Sequence, residues 1–115
     1  MLSFERLKVW EKALMFAKTL VIIADKLPTR YQFSFADQLR RAALSIPSNI
    51  AEGVGRKSHR DSSNFYSISR GSVYESINII KLLEVLNEPS LDVDKLEILY
   101  SEAEEIVKML YGLSK

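Results

Sequence analysis

Residues 38–58 read QLRRAALSIPSNIAEGVGRKS, and their pattern decides the fold. Leu39, Ala43, Ile46, Ile50 and Val54 recur at steps of three and four, the spacing of one face of an α-helix. Gln38, Arg41, Ser45, Asn49, Glu52 and Arg56 form a polar stripe within an arc of about 80° beside it. Pro47 falls inside the pattern, where it costs about 3 kcal/mol or more. Both stripes keep phase across it, so a kink is expected and not a break. Gly53 and Gly55 are expected to stop this helix, since glycine tolerates the left-handed backbone at a C-terminus. The helix is predicted over about residues 35–53.

Three more helical patterns surround it. Over residues 5–26, Leu7, Trp10, Leu14, Ala17, Val21 and Ala24 form the main apolar stripe, with Trp10 read as core. Ala13, Phe16, Leu20, Ile23 and Leu27 form a second stripe about 100° round. A bundle helix with one solvent face needs a single stripe, so the second is expected to meet another subunit. Pro28 ends this helix. The third helix opens near residues 58–61 and runs to about 86, with Phe65, Ile68, Ser72, Ile79, Leu83 and Leu86 inward. Ser69, Ser72 and Ser76 on or beside that stripe allow a neighbour to approach closely. Tyr66, Val73, Tyr74 and Ile77 lie on an adjoining face, a second hint of subunit contact. The fourth helix runs from Asp92, a good N-cap, to residue 111 or 113, with Leu96, Leu99, Tyr100, Ala103, Val107 and Leu110 as its core. No strand-like alternation or repeat occurs. Residues 1–115 are therefore expected to form one all-α domain, an antiparallel up-down-up-down four-helix bundle. Its interface with other copies is expected at Phe16, Leu20, Ile23, Tyr66, Val73 and Ile77.

Composition excludes several classes. The chain has no cysteine, so a disulfide scaffold and a thiolate metal site are ruled out. The N-terminal residues carry charges where a secretory signal needs an apolar core. The longest apolar run, residues 20–24, is far short of the ~20 residues that span a membrane. A cytoplasmic protein without membrane contact is the expectation. The net charge of +1 hides an uneven distribution. From Glu84 onward there are 8 acids and 3 bases, which leaves 13 bases and 7 acids in residues 1–83. A basic middle and an acidic end point either to an anionic partner or to head-to-tail pairing of subunits.

The segments FERLKVWEKAL, QLRRAALSIPSNIAEGVGRKS and DSSNFYSISRGSVYES closely resemble the four-helix-bundle proteins encoded in intervening sequences of bacterial 23S ribosomal RNA genes. That family includes relatives of the accessory protein of diversity-generating retroelements. The resemblance covers nearly the whole chain, and SIPSNIAEG-x-GR is its specific part. It implies a bundle that assembles into a barrel-like homopentamer. It also implies contact with RNA or DNA, and with a reverse-transcriptase-like or ribosomal partner, through basic residues. The chain departs slightly at Tyr66-Ser67-Ile68-Ser69-Arg70, where relatives often carry an acid, and it is less basic than a dedicated RNA binder.

The candidate nucleic-acid contacts are Arg40, Arg41, Arg56, Lys57, Arg60 and Arg70. Arg40 and Arg41 lie about 100° apart and cannot share one face. Each either grips phosphate, which guanidinium matches bidentately, or pairs with an acid at a helix or subunit seam. Arg56, Lys57, His59 and Arg60 cluster at the turn before the third helix, where positive charge sits beside free backbone amides. A solvated loop, or docking onto a neighbour's acidic fourth helix, is the other reading. Ser45, Pro47, Ser48, Asn49, Glu52 and Gly53 read as a kink network, because Pro47 frees a carbonyl that a nearby hydroxyl or amide can satisfy.

Catalysis is not expected. Ser45 and Ser48 lack an adjacent base, and His59 is the only histidine. No metal or cofactor is expected either. His59 lacks the Glu-x-x-His partners of a di-iron bundle. Gly53-x-Gly55 follows a helix, unlike a dinucleotide loop. Glu84, Glu88, Glu97 and Glu104 read as solvent-facing acids.

Overall fold

A computed structural model describes residues 1–115. After a 3-10 turn at Ser3–Arg6 come α1 (Lys8–Lys26), a one-turn α2 (Thr29–Gln32), α3 (Phe35–Val54), α4 (His59–Val85) and α5 (Val93–Leu113). The protein is all-α, and the helices pack into a body of 45 × 25 × 24 Å. α1 starts later than the sequence suggests because Leu7 is extended, at φ −78° and ψ 126°. Leu27 is also extended, as the residue before a proline prefers, and ends α1.

α2 has no counterpart in the sequence reading. Its Gln32 turns back and donates from Nε2 to the carbonyls of Ala24 (3.0 Å) and Leu27 (2.8 Å), capping α1. α3 continues through Pro47, which is buried. No glycine adopts a positive φ, so Gly53 and Gly55 do not end α3 by the expected left-handed route. Gly53 serves a different purpose: a Cβ there would lie 2.6 Å from the Tyr66 ring. The one left-handed residue is Asn87 (φ 56°), just after α4. There the Glu88 amide donates to Leu83 O and the Asn87 amide to Glu84 O, a Schellman closure.

The core joins Ala13, Phe16 and Leu20 of α1 to Leu39, Ile46 and Ile50 of α3, Val73, Ile80 and Leu83 of α4, and Leu99, Ile106 and Leu110 of α5. Several expectations are corrected here. Phe16, Leu20, Tyr66 and Val73 were assigned to a subunit interface, yet all four are buried within one chain. Burial of Phe16 or Leu20 contributes roughly 1.5–3 kcal/mol, which fixes that face of α1 inward. Ile23 and Ile77 are half-buried and pack on the same core. The stripe taken as the α1 core turns outward in part: Leu7, Trp10, Ala17 and Val21 are half-buried and Leu14 is exposed. Trp10 packs edge-on against Phe4 with centroids 5.0 Å apart.

On α4, Ile68 and Leu86 are exposed, whereas Ser69 and Ser76 are fully buried. Hydropathy favours the isoleucine, but close approach to α3 demands the serine. Glu88 is likewise buried and not solvent-facing. Its Oε2 accepts from the Ser90 amide at 2.8 Å, and Arg30 Nη2 lies 3.5 Å from Oε1. No helix is long and apolar enough to cross a membrane.

Candidate nucleic-acid interface

The six basic residues do not converge. Residues 41 and 56 are separated by about 22 Å along the α3 axis. Arg40 belongs to the bend between α1 and α3. Its Nε donates to Asp25 Oδ1 at 3.0 Å, and its Nη2 donates to Gln32 Oε1. Gln32 thereby caps α1 while Arg40 holds Gln32 in place. That role is structural. Arg41 pairs with Asp37 one turn earlier at 3.1 Å and stays exposed, so its acid lies on its own helix and not across a seam.

The turn between α3 and α4 keeps its charge cluster. Arg56 pairs with Glu52 at 3.1 Å and lies 4.5 Å over the Phe65 ring. Exposed ion pairs contribute about 0–1 kcal/mol, so a phosphate can replace Glu52 at little cost. Lys57 and Arg60 are exposed and make no ion pair. Ser58 caps α4 by accepting from the Asp61 amide at 3.1 Å, which fixes the direction in which the turn leaves α3.

The C-terminus of α5 closes on this turn. His59 Nε2 lies 3.0 Å from the Ser114 carbonyl, a contact that makes Nε2 the protonated nitrogen. Arg70 Nη1 donates to Ser114 Oγ at 3.3 Å, and its guanidinium lies 4.0 Å over the Tyr111 ring. The neighbouring Tyr111 hydroxyl, and then burial, raise the Tyr74 pKa above the usual 10.0. Tyr74, expected on a face that meets another subunit, and Tyr111, expected only as the end of the fourth helix, remain 54% and 50% exposed. Their signal is a cation over an aromatic ring, which needs α4 and α5 side by side before it exists.

Further along the same seam, Lys81 Nζ lies 3.9 Å over the Tyr100 ring. Burial and a hydrogen bond to Glu84 push the Tyr100 pKa well up. An open groove of about 540 Å³ runs between Tyr74 and Tyr100 and is lined by Glu97 and Glu104.

The kink segment splits by role. Ser72 Oγ donates to Ser45 Oγ at 2.7 Å, and Asn49 Nδ2 donates to both Ser45 O (2.8 Å) and Ser45 Oγ (2.9 Å). Ser69 Oγ donates to Ile46 O at 2.8 Å. The carbonyls served are therefore those of Ser45 and Ile46, not that of Ala43, the one Pro47 leaves free. Ser48 is exposed and Glu52 is committed to Arg56. Nowhere do three or more His, Asp and Glu side chains gather as a metal site.

Residues 5–112 match the family model described as 23S rRNA-intervening sequence protein. No curated protein matches the chain.

Proposed function

We propose that this chain, which belongs to the 23S rRNA-intervening sequence protein family, is a non-enzymatic oligomeric scaffold that contacts nucleic acid, RNA foremost, through the α3–α4 turn. The contact residues are Arg56, Lys57, Arg60 and Arg70, with Arg41 and Arg40 outside the patch. The observation that carries the reading is the pair of unpartnered cations, Lys57 and Arg60, flanked by two arginines whose own partners are weak. A reverse-transcriptase-like or ribosomal partner that itself carries RNA fits the same surface.

The scaffold is an antiparallel up-down-up-down four-helix bundle on this reading. Cross-helix contacts support it, since positions rise along one helix as they fall along its neighbour: Asp25 with Arg40, Gly53 with Ser62, Ile46 with Ser69, Glu84 with Tyr100, and Arg70 with Ser114. Copies assemble into a ring, a homopentamer as the family resemblance implies, in the cytoplasm. Ring formation multiplies a weak patch into useful avidity. The absence of catalysis is supported by His59. The nitrogen that lies 3.5 Å from Ser63 Oγ donates to a carbonyl and is not free to act as a base.

A second reading is favoured by the uneven charge along the chain, basic before Glu84 and acidic after it: the chain is a protein–protein module whose charges serve self-assembly. A salt series on the purified oligomer with labelled RNA separates the two. Under the first reading raised salt releases RNA and leaves the oligomer intact, and Lys57→Gln with Arg60→Gln flattens the log–log salt slope by about 0.7–0.9 per lost contact. Dissociation of the oligomer by salt, with RNA binding indifferent to both substitutions, overturns it.

A further inference from the structure

We infer that the nucleic acid taken by the α3–α4 turn is single-stranded, and that Tyr111 and Tyr74 are the platform on which its unpaired bases stack. The inference rests on the reading of that turn as a nucleic-acid contact and specifies its ligand. Cations alone recognise duplex and single strand alike, because both present phosphates. An exposed aromatic beside them recognises only a base that has left its stack.

Three observations place such a surface here. Tyr111 and Tyr74 are half-exposed neighbours across the α4–α5 seam, so both offer ring surface to a ligand. Arg70 lies 4.0 Å over one face of Tyr111, which fixes the ring, sets a phosphate-binding group beside it and leaves stacking to the opposite face. His59 and Arg70 both reach Ser114, so the basic turn and the tyrosines form one continuous surface. Beyond Tyr74 the groove carries Glu97 and Glu104 together with Lys81 and Lys108.

The test is fluorescence anisotropy of the purified full-chain oligomer with a labelled oligouridine of about 12 nucleotides, the matching oligothymidine, and an RNA duplex of the same length. The single strands are expected to bind about tenfold more tightly than the duplex at equal salt. Tyr111→Leu, which keeps apolar bulk under Arg70, is expected to lose about tenfold for single strands with an unchanged salt slope. Tyr111→Phe is expected to retain binding, and Tyr74→Ala gives an independent second loss. Equal affinity for duplex and single strand overturns the inference, as does binding that ignores Tyr111→Leu and Tyr74→Ala. If Lys57→Gln with Arg60→Gln still abolishes binding in that case, the turn remains a nucleic-acid contact and only the stacking platform falls. If no probe binds, both fall.

Discussion

Ser69 donates its hydroxyl hydrogen to the carbonyl oxygen of Ile46 across 2.8 Å, one residue before Pro47. Both side chains are fully buried. The bond recurs along the seam, with Ser62 on Gly53 O at 2.7 Å and Ser72 on Ser45 Oγ at 2.7 Å. Three hydroxyls of α4 thus grip α3 on both sides of Pro47. Short side chains permit the close approach, and the approach in turn satisfies the hydroxyls.

Ser69→Ala is expected to cost about 1 kcal/mol, the net worth of one buried hydrogen bond. Ser69→Val adds bulk with nowhere to go and is expected to cost about 1–3 kcal/mol. Urea denaturation with an unchanged m-value reads both. A valine variant as stable as the parent would show that the seam is loose.

Gly53→Ala is expected to destabilise through the Tyr66 ring. The new Cβ would sit 2.6 Å from Tyr66 Cε1 and 3.2 Å from Phe65 Cβ, and Tyr66 is buried. Overpacking costs about 1–3 kcal/mol, against up to about 1 kcal/mol gained in helix propensity. The control is Gly71→Ala, whose Cβ meets nothing within 4 Å and which gains propensity freely. Thermal melts should move in opposite directions.

The contrast between these glycines shows how far the sequence can be read. Periodicity located the long helices because each buries a face, and α3 and α5 needed little correction: Leu39, Ala43, Ile46 and Ile50 lie inside as spaced. α1 and α4 misled for physical reasons. Both carry apolar residues round more than one face, and spacing alone does not say which face meets the core. The serines expected on or beside the inward stripe of α4 are interior at Ser69, whose donor finds a carbonyl on α3, and at Ser76, whose donor turns back to Ser72 O in its own helix. The candidate site was legible only as charge. Whether Arg40 faces solvent or Gln32 depends on α2, a turn too short to leave a periodic trace. Tyr111 gains its role from Arg70, 41 positions earlier in the chain.

Arg40→Ala is expected to lower stability by about 1 kcal/mol and leave RNA affinity unchanged, because its donors are spent on Asp25 and Gln32. Lys57→Gln with Arg60→Gln should show the reverse, weaker binding with an unchanged melting temperature. Paired melts and binding isotherms on the two variants check this. Loss of RNA affinity in Arg40→Ala with no change in stability would return that residue to the interface.

Acid is expected to unlock the α4–α5 turn. Ser90, through its side chain and its amide, and then Arg30 hold the Glu88 carboxyl below its ordinary value of 4.5. A carboxyl depressed in the folded state contributes stability that is present above pH 4.5 and lost as pH falls through the lower folded value. Melting temperatures followed from about pH 6 to about pH 3 should fall less steeply for Glu88→Gln than for the parent. Parallel curves would show that the acid sensitivity lies elsewhere.

Self-association is expected to use the outer side of α1 and α3. With Phe16 and Leu20 turned inward, the apolar surface left over on these helices includes Trp10, Leu14, Met15, Val21, Ile22 and Leu44, the last 70% exposed. These residues lie between the Asp25–Arg40 pair at one end and the pocket that Phe4 shares with Ser48 and Ala51 at the other. Leu44 belongs to the segment that carries the family resemblance. Leu44→Glu, alone or with Leu14→Glu, is expected to reduce the light-scattering mass to one chain, 13.1 kDa, without lowering helix content. Ile98→Glu on the exposed face of α5 places the same charge on an isoleucine that is 63% exposed, and is expected to leave the assembly whole. Dissociation by Ile98→Glu with indifference to Leu44→Glu would move the interface to the acidic helix. It would also favour assembly by charge over assembly by apolar contact, an outcome that high salt would then reproduce in the parent protein.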